Sequence, residues 1–191
     1  MRIEITPAVV LPDVSPLIHL AAVDCLPLLQ EFGRVVVMDV VAFEASADYE
    51  KPWARQVAEW LARRKAPEGS QPVAVVTTEI GEAYRLARQA DPNFRLRNAG
   101  ENAIRDWLVE MLPEIGGPAL VVYEDSKVPK LLRRERLHEV VVAATTRALL
   151  VFAEERGLIQ SAEDTWCEII DRAPSANPRS DVSVMRPMRA L

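Results

Sequence analysis

The chain has 191 residues, of which 49% are hydrophobic and 27% charged, and its formal net charge is -5. That length suits one domain of ordinary size, with or without an appendage, and no apolar run approaches the roughly 20 residues a membrane span needs. The acidic balance argues against a protein that coats nucleic acid, yet it leaves room for a metal-dependent enzyme acting on one, because bound cations offset clustered acids. The first residues, MRIEITPAVVLPD, lack the apolar segment of a secretory signal, and Cys25 and Cys167 have no nearby partner. A cytoplasmic chain with two buried thiols is the expectation.

In chain order, Val9 to Leu11 reads as a buried strand, with Asp13 where it runs out. Ser15 is placed as an N-cap and Pro16 at the first helical position. Leu17, Ile18, Leu20, Ala21, Leu28 and Leu29 supply the apolar surface of the helical region that follows. Gly33 is expected to end it, and VVVM at 35–38 reads as a second buried strand. Asp39 to Ala47 is a short helix carrying Glu44. Pro52 starts a helix with Trp53, Val57, Trp60 and Leu61 at helical spacing, and Ala66 to Ser70 ends it. Val73 to Val76 is a short extended piece, Glu79 to Ala90 a helix, and Asp91-Pro92-Asn93 a break.

The spacing of Ile104, Trp107, Leu108, Met111 and Leu112 predicts a helix over Asn98 to Leu112, terminated by Pro113 to Pro118. Ala119 to Tyr123 is a buried strand ending in Glu124-Asp125. Lys130 to Leu137 reads as a basic helix and Val140 to Ala144 as the last central strand. Thr145 or Thr146 caps a helix through Arg156, with Gly157 as its C′ residue, and Ser161 caps a terminal helix reaching Arg172. Strand–helix units with near-continuous apolar strands predict an α/β fold, a mostly parallel central sheet sandwiched between helices. Residues 1–173 form one domain on this reading. Residues 174–191, rich in Pro, Ser and Arg, form a loosely ordered tail or an arm on a partner. No Gly-rich phosphate loop occurs, and the two histidines, His19 and His138, lack the spacing of a zinc site or a nucleophilic triad.

Carboxylates are the remaining chemistry. Asp13 and Asp125 each end a buried strand, while Glu44 and Glu101 lie near helix starts, so the four could meet at the rim where open α/β sheets keep their sites. Mg²⁺ and Mn²⁺ take oxygen ligands of this kind, and such ions can orient a water and neutralise charge on phosphate oxygens. Each acid also has a plainer role. Asp13 can be a turn or capping acid, Glu101 can be the reciprocal member of a cap with Asn98, and Glu44 can serve the helix dipole. Ser15 and Thr145 are helix caps, or hydroxyls that hold a carboxylate or a metal-bound water. Two basic clusters stand out. Arg63-Arg64-Lys65 reads as a solvated surface, and Lys127, Lys130, Arg133, Arg134 and Arg136 could contact a phosphate backbone beside Asp125.

Asp13-Val-Ser-Pro-Leu-Ile, VVVMDVVAFE, Gly100-Glu-Asn-Ala-Ile, LVVYED and VVVAATTRALLVFAEERGLI together resemble a PIN domain, the metal-dependent ribonuclease fold of many toxins in prokaryotic toxin–antitoxin pairs. The resemblance spans Val9 to Ile159. It implies that Asp13, Glu44, Glu101 and Asp125 form an acidic quartet binding Mg²⁺ or Mn²⁺, with Ser15 and Thr145 as accompanying hydroxyls. It further implies endonucleolytic cleavage of single-stranded RNA, a homodimer and a small antitoxin protein as partner. The stretch between Glu44 and Glu101 is longer than in compact toxins, Ala144 stands where many relatives have Gly, and Glu124 replaces a frequent Asp.

Two other functions fit parts of the sequence. A catalytically weak PIN-like module that binds protein or RNA suits the net negative charge and the added middle and tail. A receiver-like domain would use Asp39, at the end of VVVM, as a phosphoacceptor.

Overall fold

The structure is a computed structural model that describes residues 7–63, 73–173 and 176–185. Four strands form where aliphatic residues run unbroken: β1 (Val9–Pro12), β2 (Arg34–Met38), β4 (Ala119–Tyr123) and β5 (Val141–Thr145). Apart from Arg34, every residue in them is buried. Runs with no polar face can be used only by a sheet covered on both sides. β3 (Val73–Val76) is partly exposed, as befits an edge. The sheet has the order β3-β2-β1-β4-β5-β6, parallel throughout except for β6 (Val184–Met185), which pairs antiparallel with β5. This is the α/β architecture expected.

Eight α-helices are described around the sheet. α1 (Val14–Ala22) packs against α2 (Asp39–Ser46), α3 (Pro52–Ala62), α7 (Thr146–Glu155) and α8 (Ala162–Arg172). α5 (Ala99–Ile115) packs against α4 (Glu79–Ala90), α6 (Lys127–Arg134), α2 and β2. Helix and strand side chains merge into one continuous apolar core. No helix among the described residues is long and apolar enough to cross a membrane.

Several local expectations change. α1 starts two residues earlier than predicted: Asp13, with extended backbone, is the N-cap, and its carbonyl accepts the Leu17 N–H at 3.4 Å. Ser15 therefore lies inside the first turn and caps nothing. Pro16 is tolerated there because first-turn amides have no helical acceptor. The helical region also breaks at Asp24, which adopts a left-handed backbone before a 3-10 helix at Leu26–Glu31. Pro27 cannot donate the hydrogen bond a continuous helix would require.

Pro113 does not end α5. It sits in the last turn, and the helix runs on to Ile115 before Gly116 closes it in the left-handed region. Of the segment expected as a loose tail, residues 176–185 are described, and they supply β6, with the Ser183 carbonyl accepting the Thr145 amide at 3.1 Å. Cys25 is half-buried and Cys167 exposed, so the thiols are free but not buried. The Ala66 to Ser70 helix end, Arg64 and Lys65 lie outside the described residues.

Candidate metal centre

The chain leaves β1 towards β2 on one side and later returns to β4 on the other, so the strand order reverses between β1 and β4. Open α/β sheets gather ligands outside the strand ends at such a reversal. Asp13 follows β1 directly, and its amide extends the ladder by donating to the Val122 carbonyl at 2.9 Å. Glu124 and Asp125 follow β4. Two strand-terminal acids are therefore placed on neighbouring strands by the sheet itself.

The other two acids arrive on helices. Glu101 lies in the first turn of α5, whose start is pressed onto Asp13: a Cβ on Gly100 would stand 2.9 Å from Asp13 Oδ1 and 3.1 Å from Val41 Cγ2. Only glycine permits that approach. Asn98, before α5, has a left-handed backbone and makes no side-chain cap, so the proposed cap pairing with Glu101 is not formed. Glu44 is the sixth residue of α2, in its second turn, and not near the helix start as expected. α2 begins at Asp39, as read from the sequence, directly after β2, and that start puts Glu44 a turn and a half into the helix.

Electrostatics ties the four together. Asp13 is 8% exposed, and burial pushes its carboxyl up to about 7. The Val14 amide opposes this, while the charges of Glu101, Glu44 and Asp125 add to it. Burial also raises Glu44, followed by the Glu101 charge, with Arg95 and a hydrogen bond from Tyr84 in opposition. At Asp125 burial acts upward, but Lys127 and Lys130 bring the carboxyl below its ordinary value. The Lys127 amide donates to Asp125 Oδ1 at 2.8 Å, and its ammonium lies 3.2 Å from Oδ2.

Among the described residues, no three His, Cys, Asp or Glu side chains are already spaced as ligands of one ion. The donor chemistry nevertheless suits a hard divalent cation: the donors are carboxylate oxygens, and the buried one is surrounded by like charge that a cation would relieve. Asp13, Glu44, Glu101 and Asp125 are the residues that would hold it.

The two hydroxyls fare differently. Ser15 is half-buried in the first turn of α1. Thr145 Oγ1 donates to the Asp181 carbonyl at 2.8 Å and accepts the Ala148 and Ser183 amides at 3.3 Å each. Its one proton is thus committed to holding the C-terminal segment, while its oxygen caps α7 through the Ala148 amide. Glu124 works beside it, accepting from the Thr146 amide at 3.0 Å and from Ser180 Oγ at 2.8 Å, with His19 Nδ1 at 3.8 Å.

Asp39 is occupied as well. It accepts from Thr78 Oγ1 at 2.8 Å and from the Thr78 amide at 3.2 Å, and the Gly81 backbone lies against its carboxylate. Those contacts join α2 to the start of α4 and leave the phosphoacceptor reading without support. Lys130, Arg133, Arg134 and Arg136 are exposed, and of these Lys130 acts on Asp125, while Arg134 is paired with Glu135 at 3.0 Å. Sequence reasoning missed Tyr84 and Arg95, the groups that face Glu44. Neither belongs to a recognisable motif: the packing of α4 against α2 brings in Tyr84, and the loop between α4 and α5 brings in Arg95.

Compared with protein-family models, with curated proteins and with solved structures, the chain finds no match in any of the three.

Proposed function

We propose that the protein is a metal-dependent endoribonuclease of PIN-like type, acting on single-stranded RNA. The observation that carries this reading is Asp13: a carboxyl buried at the sheet's reversal point, raised to about 7, and acted on by three further acids from α2, α5 and the end of β4. Gathering like charge around a buried acid is costly unless a cation completes the site. Bound Mg²⁺ or Mn²⁺ would supply Lewis acidity and charge neutralisation at the phosphodiester.

The chain's own residues do the rest. Asp13, Glu44, Glu101 and Asp125 offer the oxygens, and Tyr84 orients Glu44 by its hydroxyl. Lys127 holds Asp125, and Lys130 and Arg133 stand exposed where a phosphate backbone would pass. The resemblance extends the proposal to a cytoplasmic, homodimeric toxin restrained by a small antitoxin protein.

A second reading is favoured by one contact. Lys127 already places a cation on Asp125, as a site built for binding and not for cleavage could do. Calorimetry with Mn²⁺ separates the two, comparing the native chain with an Asp13→Asn, Asp125→Asn double variant. Binding lost in the variant, together with metal-dependent RNA cleavage, supports the nuclease. A folded native chain that neither binds millimolar Mn²⁺ nor cleaves RNA with it moves the assignment to the interaction module.

A further inference from the structure

A hollow opens beside Glu44. Phe43, Glu44 and Ala47 of α2, Tyr84 and Arg88 of α4, and Arg95 of the loop before α5 enclose about 260 Å³. Beside the Glu44 carboxylate it shares with the acidic rim, it offers two aromatic side chains and two guanidinium groups. Phe43 is 40% exposed although Val40, Val41, Ala42 and Ala45 of the same helix are buried. Its ring is fixed, edge-on to Tyr84 at 5.9 Å, with the Arg88 guanidinium 5.6 Å from its centroid. Arg88 is itself anchored by donating to the Phe94 carbonyl at 3.3 Å, and the Phe94 ring lies 6.0 Å from Tyr84. Arg95 is exposed; its Nη1 donates to the Phe94 carbonyl at 3.2 Å, it hydrogen-bonds with the Tyr84 hydroxyl, and its charge acts on Glu44.

These parts match the chemistry of an unpaired nucleotide. An unstacked base gains by lying against an aromatic ring or a guanidinium plane, and a phosphate is held by an arginine fork. We propose that this hollow seats one nucleotide of a single strand, its base against Phe43 and Arg88 and its phosphate on Arg95. The location rests on the nuclease reading, since the seat adjoins Glu44 and would deliver the neighbouring phosphodiester to the four acids. Binding there is separable from cleavage. A duplex is excluded, because its bases are already paired and stacked.

The test measures anisotropy of a short fluorescein-labelled single-stranded RNA of mixed sequence, with Mg²⁺ present and every protein carrying Asp13→Asn to suppress cleavage. Phe43→Ala should weaken binding about tenfold, whereas Phe43→Trp should retain it. Arg95→Gln should weaken binding and lower the salt slope by about 0.7. A duplex of the same sequence should show no dependence on Phe43. A DNA strand showing the same Phe43 dependence keeps the seat and means that the ribose hydroxyl is not read there. Thermal melting of each variant checks that it is folded, which the exposure of Phe43 favours.

Equal binding by the Phe43 parent and Phe43→Ala, or no binding of any single strand, overturns the proposal. Cleavage assays on chains with Asp13 restored separate the two readings. Metal-dependent cleavage with a KM indifferent to Phe43→Ala and Arg95→Gln removes the seat and leaves the nuclease. Phe43-dependent binding without any cleavage keeps the seat and removes the nuclease.

Discussion

Gly100 and Asp13 are in such close apposition that a single methyl group on the glycine would reach within 2.9 Å of the aspartate's Oδ1. Neither neighbour can give easily, because Asp13 and Val41 are both buried. Gly100→Ala is expected to destabilise the fold by about 1–3 kcal/mol through overpacking. It should also push Glu101 away from Asp13. Urea unfolding measures the first effect and Mn²⁺ calorimetry the second. A variant with unchanged stability and unchanged binding would show that the approach of α5 is not a constraint.

Asp13 makes stability depend on pH in an unusual direction. Its carboxyl is at about 7 in the folded chain, against 3.8 for the ordinary group. Between those values the folded state holds a proton that the unfolded state has lost, so stability falls as pH rises from about 4 to about 7 and then levels. Asp13→Asn should therefore stabilise the metal-free protein at pH 8 by up to roughly 4 kcal/mol, and by little near pH 4. Melting in EDTA across that range checks the sign. Added Mn²⁺ should raise the native chain's midpoint at pH 8 and leave the variant's alone.

Glu124 works in the opposite sense. Burial acts to raise it, but nearby His19 and the hydrogen bonds from Thr146 and Ser180 hold it below the ordinary glutamate value. Its contribution is present above the unfolded value of about 4.5 and is lost as pH falls through the lower folded value. Glu124→Ala should release the segment around Ser180. Trypsin is then expected to cut after Arg179 several times faster than in the native chain, while global unfolding shifts by only about 1–2 kcal/mol.

Tyr84 is expected to act on the metal site through Glu44. Removing the hydroxyl in Tyr84→Phe takes away a donor to the Glu44 carboxylate without emptying the core. Outer partners of this kind are worth about 10–100-fold in metal affinity. Mn²⁺ titration should show a loss in that range with the melting temperature nearly unchanged. An unaltered affinity would remove Tyr84 from the site.

Much of the layout was legible in local patterns. The bounds of β3, β4 and α4 coincide with those read from apolar runs, turn residues and caps. Thr145 and Ser161 cap α7 and α8 through hydrogen bonds to Ala148 and Asp164. Errors fell where a turn competed with a continuing pattern. Asp24 and Pro27 broke a run that looked helical, and Pro113 failed to break one. Ser180, Asp181 and Ser183 are held by Thr145 and Glu124, partners far away in sequence that local composition does not show.

By itself, the sequence determined the parallel α/β class and the presence of acids at the ends of β1 and β4. Unbroken aliphatic strands admit no other burial, and a strand's last residue is set by where its apolar run stops. Tertiary structure alone decided that the charges of Glu44 and Glu101 act on Asp13, since that depends on α5 approaching Asp13 and Val41 closely at Gly100. It also assigned Thr145 to the C-terminal segment and brought Phe43, Arg88 and Arg95 together beside the acids. Convergence of side chains from separate elements is a property of packing, and no local spacing encodes it.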